Sequence, residues 1–314
     1  MVTTDAVVGA HPKAYVSYTV MAEDEVFTSG VCYGTMTDPD LVTGTCTLGD
    51  RGIGTFTDTI AGLQNGTLYH VRAYATSGQG TVYGNNLTIT SRLSLPGNGV
   101  SMDGHLYSTI VLGNGQEWMA ENLRTGIYAN GDAIPNVSGN FDWISTQGGA
   151  WSYYDNAEEY EALHGKLYNW YAVSDLRGLC PSGWHVPTDA DWNALIGYID
   201  PYFDSIPPPP FENGNGVQSS VAGGMLKSIG TELWQNPNNG GSDTIGFSAV
   251  PSGLRNYEEG GYFGEMGSGC YLWSSSISVV PTARLRYLSY DYAALARFSR
   301  PYGVGLSVRC VKNQ

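Results

Sequence analysis

A chain interrupted by turn signals at roughly 8–12-residue spacing can build short strands but not long helices, and this chain begins that way. Asp38-Pro39-Asp40, Gly49-Asp50-Arg51-Gly52, Asn65-Gly66 and Ser77-Gly78 separate the β-rich runs Ala14–Met21, Phe27–Tyr33 and Leu68–Ala75. No helical period runs through them. In the last run Tyr69, Val71, Ala73 and Ala75 share one face and His70, Arg72 and Tyr74 the other, the alternation of a half-buried strand. The expectation for residues 14–92 is an all-β antiparallel sandwich of about seven strands, preceded by an N-terminal segment, 1–13. The 42 Gly, 22 Tyr and only 14% charged residues favour short strands and ordered loops over helix bundles.

Residues 93–100, around Pro96-Gly97-Asn98-Gly99, read as a linker. Beyond it, 101–314 reads as one α+β domain with at least two helices. Thr188 can cap a helix beginning at Asp189, with Asp191 in the capping-box position and Trp192, Leu195, Ile196 and Ile199 as its apolar stripe. Glu158–Val173 is the second helical candidate. Pro207–Pro210 cannot be regular structure and is expected as an exposed loop.

A net charge of −14 argues against nucleic acid as a partner. No apolar run approaches the ~18 residues of a membrane helix, so membrane insertion is not expected. No signal peptide is visible at the N-terminus. The five cysteines, Cys32, Cys46, Cys180, Cys270 and Cys310, include no CxxC pair, so two disulfides with one thiol over, or a fully reduced chain, both remain open.

Two resemblances sharpen this outline. Gly62-Leu63 followed by Thr67–Ala75 resembles the penultimate strand of fibronectin type III domains, which implies that the Tyr69 hydroxyl bonds back to the preceding loop. Gly115–Leu123, Leu167–Val173, Leu179–Thr188, Trp273–Ser276 and Leu306–Val311 together resemble the Fibrobacter succinogenes major paralogous domain, found in surface and secreted proteins of gut Bacteroidetes and their phages. That resemblance implies a C-type-lectin-like scaffold whose C-terminal strands and loops build a ligand face. It also implies that Cys180 and Cys310, both in signature segments, pair as a scaffold disulfide. Cys32 and Cys46 flank a hairpin and could pair as well.

In some proteins of this fold a diversity-generating retroelement rewrites the ligand face at template adenines, so AAY codons can never become Lys, Glu, Gln, Met or Trp. Ser274–Leu306 contains none of the five, although they make up 38 of the 314 residues and a stretch of 33 should hold about four. The bland alternative is that β-rich surface strands lack these types by accident. Within this variable region, about 274–306, the expected ligand-binding residues are Val279, Val280, Thr282, Arg284, Ser289, Asp291, Tyr292, Ala294, Ala296, Phe298, Ser299, Arg300 and Tyr302. From Ser274 onward six cations face one acid, +5 against −19 for the remainder. Arg286 and Arg309 are expected to hold the scaffold through acidic loops, while Arg284 and Arg300 are the stronger ligand contacts.

No enzyme constellation assembles. His11, His70, His105, His164 and His185 show no HExxH spacing, and neither a Gly-x-Ser-x-Gly elbow nor a phosphate loop is present. His185 is expected to hydrogen-bond within the scaffold. The tripeptides of calcium-dependent sugar lectins (Glu-Pro-Asn, Gln-Pro-Asp, Trp-Asn-Asp) are absent. No cofactor is expected, though Asp- and Asn-rich loops are compatible with a structural Ca²⁺. The chain is thus expected to be a non-enzymatic receptor-binding or adhesion protein at a cell surface, outside the cell or on a phage virion. Its partner would be a protein or glycan on a cell surface. The alternatives are an undiversified glycan- or matrix-binding module and a divergent formylglycine-generating-type enzyme.

Overall fold

Strands dominate, at 41% of the described residues against 12% helix. The structure, a computed structural model, describes residues 1–10, 12–49, 51–200, 202–203, 216–258 and 260–314. The expected loop at Pro207–Pro210 lies outside the described residues. The chain divides into two compact units, Met1–Leu95 and Pro96–Gln314.

In the first unit β-branched and aromatic residues alternate with polar ones, so each strand buries one side. Val2–Ala10, Lys13–Val20 and Gly54–Ala61 form an antiparallel three-stranded sheet in that order. Thr45–Cys46, Val26–Gly34, Leu68–Ser77 and Gly80–Tyr83 form a second sheet, with Leu87–Thr90 also paired to Leu68–Ser77. Val16, Tyr18 and Val20 of one sheet and Val31, Val71 and Ala73 of the other share a core. The Tyr69 hydroxyl accepts the Gln64 N–H at 3.0 Å, and Cys32 is bonded to Cys46 across paired strands. Within the N-terminal segment 1–13, Val2–Ala10 is a full strand of the first sheet. Its polar threonines hid it, because Thr4 buries its hydroxyl by donating to the Asn85 carbonyl at 2.7 Å.

In the second unit the Asp189–Ile199 helix forms as its sequence requires. Thr188 and Asp191 make both bonds of the capping box, and Trp192, Leu195, Ile196 and Ile199 are buried. Glu158–Val173 is not one helix. A 3₁₀ turn, Glu158–Tyr160, leads into Glu161–His164, then Gly165 turns the chain at φ +71° where a Cβ would meet the Asn122 Cβ and the Leu123 carbonyl at 2.8 Å. Leu167–Tyr168 follows as a strand paired with Trp151–Ser152, and Asn169 caps the short helix Trp170–Val173.

Two larger sheets carry most of the rest. Thr109–Leu112, Glu117–Met119, Val311–Lys312 and Trp184–His185 lie side by side in one. The other has six strands in the order Gly216–Ser219, Leu295–Pro301, Thr282–Ser289, Gly269–Ile277, Ser252–Arg255, Phe263–Met266. Its core includes Trp273, Leu285, Leu306 and the Cys180–Cys310 disulfide. The signature tryptophans are structural: Trp273 donates its ring N–H to the Tyr168 carbonyl at 2.8 Å and Trp170 to the Ser274 carbonyl at 3.0 Å.

Candidate functional site

Strand alternation sends the C-terminal arginines to opposite faces of the six-stranded sheet. Directly paired residues share a face. The pairs Arg284–Ser299 and Arg286–Arg297 therefore lie on one side, and Ala283–Arg300, Leu285–Phe298 and Tyr287–Ala296 on the other.

The first side is covered by the Asp189–Ile199 helix. Asp189, at the helix start, accepts Arg286 Nη1 on one oxygen and Arg297 Nη1 on the other, both at 2.7 Å. Against the burial that would raise it, the two guanidiniums hold the Asp189 carboxyl below its ordinary value. Arg286 is 0% exposed and lies over the Trp192 ring. Arg284 is half-buried and reaches Ser299 Oγ at 3.4 Å. Thr282 donates to the Val279 carbonyl at 2.6 Å, closing the turn that exposes Val279 and Val280.

The far end of the hairpin is held from below. The Lys227 ammonium donates to the carbonyls of Asn239, Ser289 and Tyr292 at 2.8, 2.7 and 2.9 Å. This fixes the turn that carries Asp291 and the exposed Tyr292 ring. Two expected ligand residues are instead buried: Ser289 (4% exposed) bonds Asp291, and Ala296 (7% exposed) is packed between the strands beside it. Ala294 is half-buried, and its carbonyl abuts Gly223, where a Cβ would stand 2.1 Å away. Tyr302 stacks on Trp170 with ring centroids 4.4 Å apart. The expected binding residues thus do not form one patch, because a period-2 strand cannot present consecutive side chains to one ligand.

What remains open is the second side, near Arg300. A cleft of about 460 Å³ is walled by Leu254 and Asn256, by Phe263–Glu265 across the adjacent hairpin, and by Glu258, Tyr262, Arg300 and Val304. Phe298, on the same side of its strand as Arg300, packs against Tyr287 with ring centroids 6.0 Å apart. Glu265 sits at φ +61° and accepts the Tyr271 hydroxyl at 2.6 Å; burial first, then this carboxylate, pushes the Tyr271 hydroxyl well above its ordinary pKa. Of the expected residues only Arg300 lines the cleft. Glu258, Tyr262 and Glu265 were missed because a search for segments lacking Glu cannot point to glutamates. The signal was the run Tyr257-Glu258-Glu259-Gly260-Gly261-Tyr262-Phe263-Gly264-Glu265, acids and rings interleaved with glycine.

The family model of the Fibrobacter succinogenes major domain (Fib_succ_major) matches residues 111–312, more than half of the chain. The chain belongs to that family. No curated protein matches it. Both walls of the cleft lie inside the matched Fibrobacter succinogenes major domain, and so does the charge that the sequence placed on its C-terminal face. Most of that charge is consumed internally. Arg286 and Arg297 meet Asp189, Lys312 meets Glu117 at 2.7 Å, and the buried Arg309 donates to Asn122 and the carbonyls of Phe247 and Ser248. Neutral groups, not the expected acidic loop, therefore hold Arg309. Arg300 has no ion-pair partner among the described residues. No group of three or more His, Cys, Asp or Glu is placed to hold a metal among those residues, and no described helix is long and apolar enough to cross a membrane.

His185 belongs to the scaffold of the domain, bonded to Asp191 at 3.0 Å and Asn313 at 2.7 Å. The Asp191 carboxylate raises the imidazole above its ordinary value; against its own burial, bonds from His185 and Thr188 hold Asp191 down to about 2. A raised folded-state pKa contributes stability that is complete below the unfolded value of about 6.5 and is lost as pH rises through the folded one. His164 is lowered by burial and has the opposite slope. Thermal melts of wild type and His185→Gln should therefore converge as pH rises from 6 to 8. A gap between them that does not change over this range would rule the coupling out.

Proposed function

We propose that this chain is a non-enzymatic ligand-binding protein of the cell surface, extracellular space or phage virion. A fibronectin III/Ig-like spacer would carry a C-type-lectin-like binding domain. The observation that carries the function is the open cleft on the second side of the six-stranded sheet, with an arginine that has no ion-pair partner among the described residues. An exposed guanidinium beside the exposed Tyr262 ring is the composition of a recognition site. Support for the spacer comes from its two antiparallel sheets and the Tyr69–Gln64 bond. Two disulfides favour an oxidising location. Cys310 is engaged with Cys180, which counts against a Cys270–Cys310 pair of the formylglycine-generating type.

Diversification of 274–306 remains part of the proposal. It would act on one wall of the cleft, through Arg300, and on the exposed turns at Val280 and Tyr292. A genomic near-copy of this segment, differing only at adenines, is its test.

For binding, fluorescent full-length protein should be retained on a panel of bacterial envelope fractions and glycans. Arg300→Ala should lose at least about tenfold in affinity, about 1.4 kcal/mol. Leu176→Ala, an exposed side chain outside the cleft, should not. Equal retention of the two variants would remove the cleft as the site.

A further inference from the structure

The cleft has a charge pattern that discriminates between ligand classes. Its described walls carry Glu258 and Glu265 on one side of the balance and Arg300 on the other. None of the three has an ion-pair partner among the described residues, so both signs line one cleft without neutralising each other. An anionic ligand drawn to Arg300 would meet two carboxylates. A cationic ligand drawn to the carboxylates would meet Arg300. Like-charge juxtaposition is penalised in a partly desolvated site, so each singly charged class meets repulsion somewhere in this cleft.

A neutral polyol meets none. Each hydroxyl both donates and accepts, so vicinal hydroxyls can donate to a carboxylate and accept from a guanidinium fork at the same time. Hydrogen bonds with one charged partner are the stronger kind. Glu265 is suited to this, because the Tyr271 hydroxyl fixes one of its oxygens at 2.6 Å. The rings supply the apolar contact. Phe263 contacts the Tyr154 ring at 5.3 Å and the Arg255 guanidinium at 4.8 Å. Tyr262 is 67% exposed at the mouth. The volume, about 460 Å³, is that of a small-ligand site.

We propose that the cleft binds a neutral saccharide, with a sugar ring against Tyr262 and its hydroxyls shared between Arg300 and the carboxylates of Glu258 and Glu265. This rests on the cleft being the binding site, and the test separates the two ideas. Full-length protein is applied to an array of neutral hexose oligomers, uronate- or sialate-bearing glycans and free-amine glucosamine oligomers. In parallel it is applied to bacterial envelope fractions treated with periodate, which cleaves vicinal diols, or with protease. Thermal melts confirm that the variants fold.

Retention on neutral oligomers and periodate-sensitive, protease-resistant retention on envelopes are expected. Tyr262→Ala, Arg300→Met and Glu265→Gln should each lose at least about tenfold in affinity. Preference for charged glycans, or retention that protease but not periodate abolishes, would overturn the saccharide while leaving the cleft as the site if Arg300→Met still loses it. Retention indifferent to both Tyr262→Ala and Arg300→Met would overturn the cleft itself. Failure to retain any glycan on the array would overturn the saccharide.

Discussion

Asp189→Asn is expected to destabilise the larger unit by about 3–5 kcal/mol, the usual consequence of removing one partner from a buried ion network. Asp189 is the single carboxylate that receives both Arg286 and Arg297 at 2.7 Å. Without its charge, Arg286 would keep a guanidinium that is fully buried, with Asn193 Oδ1 at 3.2 Å as its remaining side-chain acceptor. Burial already pulls Arg286 down to about 10, which still leaves it charged at neutral pH. At the larger unit's size the loss corresponds to a melting-temperature drop on the order of 10 °C.

The pH dependence has a definite sign. Because the folded-state pKa of Asp189 is lowered, its stabilisation is present above the unfolded value of about 3.9 and is lost as pH falls through the folded one. Asp189→Asn should therefore flatten part of the acid limb of the stability curve. Urea unfolding at pH 7 and pH 3 measures both effects. A loss below about 1 kcal/mol at pH 7 would show that the network does not carry the sheet–helix contact. Arg286→Met combined with Asp189→Asn should recover part of the loss, since it removes the stranded charge.

Reduction of the Cys180–Cys310 disulfide is the second large effect. The bond closes a loop with a sequence separation of 130, for which loop entropy alone predicts about 5 kcal/mol. The Cys32–Cys46 bond closes a separation of 14 and is worth about 3 kcal/mol by the same relation. Cys310→Ala should therefore lower the unfolding midpoint of the larger unit more than Cys46→Ala lowers that of the smaller. Thiol counting tests the pairing directly. Denatured, unreduced protein should release one thiol, Cys270, and the native protein none, because Cys270 is buried and its thiol is pushed up to about 12. Five thiols would remove both disulfides.

The parts legible in the sequence are those set by contacts a few residues apart. The capping box at Thr188–Asp191 is one, and the Tyr69–Ala75 alternation is another; both involve neighbours on one helix turn or one strand. Glu158–Val173 breaks into two short helices around Gly165 and the Leu167–Tyr168 strand, and a side chain at Gly165 would collide with the distant Asn122 and Leu123. The expected ligand residues were less legible for a more general reason. Composition located a stretch of chain, 274–306, but a stretch has two faces, and Ser289 and Ala296 went inside.

Residue order alone reads 14–92 as strands, one capped amphipathic helix at Asp189, and a family signature over the C-terminal two-thirds. Local propensity and periodicity act over short chain distances and need no partner. Tertiary packing alone settles that the C-terminal cations are largely spent on Asp189, Glu117 and buried carbonyls, and that one of them, Arg300, lines a cleft with two glutamates from a different hairpin. Charge compensation and concavity are properties of pairs brought together across long loops. Which side of a strand faces its own helix and which faces solvent is settled by what packs against it.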